Sequence, residues 1–148
     1  MQDQLANDNK PHGFKFAKRL QSFRFAARGI YRMVCSQHNA WIHAFATLVV
    51  VLAGVALNVS RGDWCWLVLC ISLVWTAEAF NTAFECLANV ASPDYHPLVR
   101  DAKDISAGAV LVAAIAAVII GLIIFWPYVA DVASIRADAS SVSHEAPR

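Results

Sequence analysis

Three apolar stretches, at about 40–58, 64–90 and 105–128, fill the middle of this 148-residue chain. Each approaches or exceeds the roughly 20 residues that a helix needs to cross a hydrocarbon core of about 30 Å. The composition agrees. Hydrophobic residues make up 58% of the sequence and charged residues only 16%, whereas a soluble domain carries about 25% charged residues. The expectation is an all-α integral membrane protein with three transmembrane helices.

Charge sets the expected orientation. Seven of the twelve Lys and Arg residues lie in the first 32 positions (Lys10, Lys15, Lys18, Arg19, Arg24, Arg28 and Arg32), and Arg100 and Lys103 fall in the segment 92–104, read as a loop. The turn at 59–63 carries one Arg and one Asp. Positive charge stays on the cytoplasmic side, so the N-terminus and the 92–104 loop are expected there. Residues 14–35 place Phe16, Leu20, Phe23, Ala27 and Ile30 at spacings of three and four, with basic residues between them. This is the pattern of an amphipathic helix lying on the membrane surface. Residues 1–13 read as a disordered tail without the features of a signal peptide, and 129–148 as a second polar, loose tail. Trp41, Trp64, Trp66, Trp126 and Tyr128 fall where aromatic side chains meet the headgroups. None of the four cysteines forms a Cys-x-x-Cys pair, and three lie in or beside the second span, where a thiol behaves as a small apolar group. In the third span Ala109, Ala113, Ala117 and Gly121 recur every four residues. Such a stripe permits close helix approach in lipid, and an oligomer is expected because so small a unit has few internal partners for its polar groups.

The second span ends in an unexpected pattern for a lipid-crossing helix, A-E-A-F-N-T-A-F-E-C-L-A-N at 77–89. Glu78, Asn81, Glu85 and Asn89 fall within about 80° of one another at 100° per residue. They form one polar stripe. Measured from Trp64, Glu85 lies about 31 Å along the axis, near the cytoplasmic interface, and Glu78 roughly 10 Å deeper. Interhelical hydrogen bonding accounts for Asn81 alone. Two carboxylates on one face require a cation, a proton or a basic partner, and an ionisable residue inside a span marks a functional site.

E-A-F-N-T-A-F-E at 78–85, S-P-D-Y-H-P at 92–97 and A-K-D-I-S-A-G-A-V-L at 102–111 together resemble the signature of the prokaryotic diacylglycerol kinase family, which includes the undecaprenol kinases of Gram-positive bacteria. S-F-R-F-A-A-R-G-I and H-N-A-W-I-H fit its N-terminal pattern, and the resemblance covers about 14–128. It implies a homotrimeric, multi-pass lipid kinase of the bacterial cytoplasmic membrane. Such an enzyme transfers the γ-phosphate of ATP, with Mg²⁺, to the hydroxyl of diacylglycerol or undecaprenol. No nucleic-acid partner is expected. The chain also lacks the phosphate-binding glycine motifs of soluble kinases. By position, the resemblance gives Glu78 as general base and Asn81 as a second catalytic residue. It gives Glu85 as the Mg²⁺ ligand, with Gln37 in a second ligand position. Lys18, Phe25, Glu85, Asp94, Tyr95, His96, Lys103 and Asp104 match nucleotide-binding positions, and Asn39, Trp41, His43 and Glu78 match positions for the lipid. Read without the family, Lys103 is a snorkelling interface residue and Asp104 a helix cap.

Three positions depart from the pattern. Gln37 stands where many relatives have glutamate, Asn89 where they have aspartate, and Phe25 where they often have tyrosine. The amides keep an oxygen for a cation but remove two negative charges. These departures motivate an alternative, a catalytically weak or inactive pseudokinase that binds lipid or acts as a scaffold. A proton-coupled carrier subunit is disfavoured, because carrier sites sit near the midplane and this stripe lies at one membrane edge.

Overall fold

The computed structural model describes the backbone of residues 16–144 and the side chains of residues 20–134. The 1–13 tail and the side chain of Lys18 lie outside the described residues. Four helices follow one another: α1 (Phe16–Ser36), α2 (His38–Ala56), α3 (Arg61–Ala91) and α4 (Pro97–His144). Three of them contain segments long and apolar enough to cross a membrane, His38–Ala56, Arg61–Ala91 and Pro97–Ser134.

The antiparallel pair α3 and α4 forms the main packed unit; α2 lies on α3, and α1 touches α2 and α3. Leu67, Cys70, Val74, Glu78, Asn81, Thr82 and Ala88 are the buried residues of α3. Their spacing of about one turn defines a face turned into the bundle. Elsewhere large apolar side chains point outward on every helix, Phe45, Leu69 and Leu122 among them, as lipid-facing surfaces do. Of residues 20–36 in α1 only Met33 is buried.

Short, strongly bonded connections fix the pair. At the α2–α3 turn Asn58 adopts φ 52°, a left-handed conformation that asparagine tolerates better than most residues. Ser60 caps α3: its Oγ accepts from the Asp63 N–H (3.1 Å) and donates to Asp63 Oδ2 (2.8 Å). The Ser60 N–H donates to Tyr128 Oη (2.9 Å), and Tyr128 Oη donates to Asp63 Oδ2 (2.5 Å). This tie joins the turn to α4, beside an apolar cluster of Val59, Leu67 and Ile124.

The helix ends differ from the sequence expectations in two places. The 92–104 loop is only 92–96, because α4 begins at Pro97 and not near 105. A proline in the first turn sacrifices no helical hydrogen bond, and the His96 carbonyl accepts from the Val99 and Arg100 N–H groups (both 3.1 Å). The C-terminal segment is not a loose tail: α4 continues through Pro127 to His144. From 128 to 144 the sequence contains no Gly or Pro, so nothing local stops the helix. The small-residue stripe of α4 does not mediate close approach within the chain. Ala113 is buried, but Ala109 is exposed and a Cβ at Gly121 would meet open space.

Candidate active site

The polar stripe of α3 faces the N-terminal turns of α2 and α4, and each of its members has a different environment. Gln37, the one residue between α1 and α2, is extended (φ −107°, ψ 122°) and occupies the N-cap position of α2 without capping it. Its side chain instead reaches α3, where Nε2 donates to Glu85 Oε2 at 3.3 Å. Asn81 Nδ2 donates to Glu85 Oε1 at 3.5 Å. Asn81 Oδ1 in turn accepts from Ser106 Oγ of α4 at 2.7 Å. The Ser106 hydroxyl also lies 2.8 Å from the Lys103 carbonyl, so one proton has two acceptors within reach. At the solvent edge Lys103 Nζ donates to Asn89 Oδ1 at 2.6 Å. A chain of polar side chains thus runs from Gln37 through Glu85 and Asn81 to Ser106.

Glu78 stands apart from that chain. Its side chain is fully buried, and neither carboxylate oxygen has a hydrogen-bond partner. The nearest cation-forming group is His43 of α2, with Nε2 3.7 Å from Glu78 Oε2. His43 Nε2 and Thr82 Oγ1 are also buried without a partner. Among the described residues these three side chains hold all the buried side-chain polar atoms left unbonded. Leaving such groups unpaired is unfavourable, by several kcal/mol for a charge. An apolar groove between α1 and α3 is lined by Ile30, Met33, Trp75, Phe80 and Ala83, and a second, also mainly apolar hollow along α1 includes Ser36 and Thr82; Glu78 and His43 line neither.

The structure therefore links Gln37, Glu85 and Asn81, pairs Lys103 with Asn89, and sets Glu78 opposite His43. No hydrogen bond or ion pair among the described residues joins Phe25, Asn39, Trp41, Asp94, Tyr95, His96 or Asp104 to the stripe. All seven are exposed, and Asp104 pairs with Arg100 (3.7 Å) on its own helix. Sequence reading missed Ser106 and Thr82, although both lie inside the quoted motifs and Thr82 follows Glu78 by one turn. No sequence signal connects Thr47 with Trp75, whose indole N–H donates to the Thr47 hydroxyl at 3.1 Å.

As a metal site the cluster is sparse. Among the described residues no three His, Cys, Asp or Glu side chains converge. One carboxylate beside neutral amides suits a magnesium ion that arrives with phosphate oxygens, since Mg²⁺ is commonly held by one or two carboxylates plus substrate phosphates.

The family model of the prokaryotic diacylglycerol kinases matches residues 24–125, a span that contains the whole cluster. The chain belongs to this family. An undecaprenol kinase of Bacillus subtilis is 36% identical over 120 residues, covering 81% of this chain and 98% of the relative. A diacylglycerol kinase of Synechocystis is 41% identical over 103 residues, 69% of this chain and 59% of the relative. A diacylglycerol kinase of Escherichia coli is 34% identical over 96 residues, 60% of this chain and 79% of the relative. Relatives named for two lipids thus match overlapping parts of the chain, and the family's members are lipid kinases.

Proposed function

We propose that this chain transfers the γ-phosphate of ATP to the hydroxyl of a membrane lipid alcohol, diacylglycerol or undecaprenol. The observation that carries the reading is Glu78, a fully buried carboxylate with no hydrogen-bond partner, on the same helix face as Glu85. A dry carboxylate at hydrogen-bond reach of an alcohol is suited to accept its proton. The groove fits an acyl or prenyl tail, with Asn39, Trp41 and His43 toward the lipid at the start of α2.

Glu85 would hold Mg²⁺ together with the nucleotide phosphates. Bound there, the ion supplies charge that offsets the transferring phosphoryl group. Asn81 orients Glu85 and is itself oriented by Ser106. Lys103 adds positive charge at the mouth. Lys18, Phe25, Asp94, Tyr95, His96 and Asp104 form the nucleotide's surroundings on the cytoplasmic side, together with the N-terminus. The enzyme sits in a bacterial cytoplasmic membrane, with α1 lying on its inner surface. The family resemblance implies a homotrimer, and the exposed Ala109 with the open space at Gly121 on α4 would leave room for a neighbour.

One observation favours a second reading. The Gln37 amide donates to Glu85 in place of a second acidic ligand, which suits a pseudokinase with weak metal use. Phosphate transfer from labelled ATP with Mg²⁺ into each lipid, presented separately in mixed micelles, separates the two. Incorporation into one lipid is expected; none into either, from folded trimeric protein, would favour the scaffold.

A further inference from the structure

Glu78 Oε2 faces His43 Nε2 across 3.7 Å, and neither carboxylate oxygen has a hydrogen-bond partner. Both side chains are withdrawn from water, at 13% exposure for His43 and 1% for Glu78. Among the described residues no other cation lies within ion-pair distance of Glu78. The next carboxylate along the stripe, Glu85, is engaged by Gln37 and Asn81. Two facing acceptors without a donor are unfavourable while the space between them is empty, and a proton arriving there relieves both.

The imidazole is also braced. Its ring meets Trp75 of α3 edge to face, with centroids 6.5 Å apart and planes at 65°. The Trp75 indole N–H is anchored on the Thr47 hydroxyl at 3.1 Å, and Thr47 lies one turn beyond His43 on α2. The brace therefore leaves α2 at His43, crosses to α3 and returns to α2. It holds Nε2 toward the carboxylate, as a side chain with a proton-transfer task requires.

We infer that His43 is the positioning residue of Glu78: it orients Oε2 and takes up the proton that Glu78 receives from the lipid hydroxyl. This rests on the reading of Glu78 as the base. The hydroxyl oxygen bonds to the γ-phosphorus as the bond from that phosphorus to the bridging oxygen breaks, and ADP leaves. The hydroxyl proton passes to Glu78 and then to His43 Nε2. A carboxylate–imidazolium pair remains until the proton is released to water.

The test uses the full-length protein in mixed micelles with labelled ATP, Mg²⁺ and each of the two lipids. His43→Gln keeps a polar side chain but cannot hold the proton. Its kcat is expected to fall about 100-fold, the scale of one proton-transfer group, with the KM for ATP within about twofold of the parent. Imidazole in the buffer should restore part of the turnover of His43→Gly, which a structural role would not allow. Parental kcat in His43→Gln, with Glu78→Gln inactive, overturns the inference and leaves the base in place. Turnover by Glu78→Gln removes both. Should the His43 variants fail to assemble, ¹⁵N NMR of the unsubstituted ring decides: its nitrogen shifts should differ between the parent and Glu78→Gln, and identical shifts overturn the inference.

Discussion

Glu78 and Glu85 lie two turns apart on one face, yet their surroundings assign them different work. Glu85 is half-buried and accepts two amide hydrogen bonds, whereas Glu78 is fully buried and accepts none. Glu78→Gln should lower turnover by at least about 100-fold, the contribution of a general base, while membrane insertion and helicity stay as in the parent; near-parental turnover would remove the assignment. Ser106→Ala deletes the donor that anchors Asn81. A hydrogen bond of about 0.5–1.5 kcal/mol corresponds to roughly a 2- to 12-fold loss in kcat/KM for ATP, read in the same assay. Gln37→Glu places a second carboxylate against Glu85. That pair repels without a cation and gains with one, so the Mg²⁺ concentration for half-maximal turnover should fall several-fold. An unchanged requirement would mean that position 37 does not meet the metal.

At the scale of helices, the two ends of the α3–α4 pair do separate jobs. The end away from the stripe is closed by the Ser60–Asp63–Tyr128 tie and the cluster around Leu67. The other end carries the stripe, about 33 Å along α3 from Asp63 to Glu85. Tyr128→Phe removes a donor to Asp63 and an acceptor for the Ser60 N–H. About 1–3 kcal/mol of stability should be lost, seen as a lower midpoint of thermal unfolding, while turnover below that midpoint stays within about twofold of the parent. A large loss of turnover at low temperature would show that the tie governs the distant site. Helix ends were also where the sequence misled. S-P-D-Y-H-P does end α3, at Ala91, but the loop is shorter than 92–104 because Pro97 opens α4: the residue that breaks a helix interior fits its first turn.

For the molecule as a whole, α4 continues beyond the family match, which ends at residue 125. Truncation after Ala130 should therefore leave phosphate transfer within about twofold of the full chain, measured in the same micelles; a larger loss would assign the extension a part in activity. What the sequence determined alone are the properties that add up along one chain: three apolar spans from local hydropathy, a basic N-terminal segment, and a polar stripe from 100° periodicity. What only the tertiary structure decided are the pairings. That Gln37 reaches Glu85 across 48 positions, that Ser106 holds Asn81, and that Glu78 meets His43 and no donor all depend on how α2 and α4 cross α3 and on the rotamers packed there. Periodicity places residues on a face of a helix. Which of them then finds a partner and which is left unbonded is settled by the neighbouring helix, and in this chain the unbonded one is Glu78.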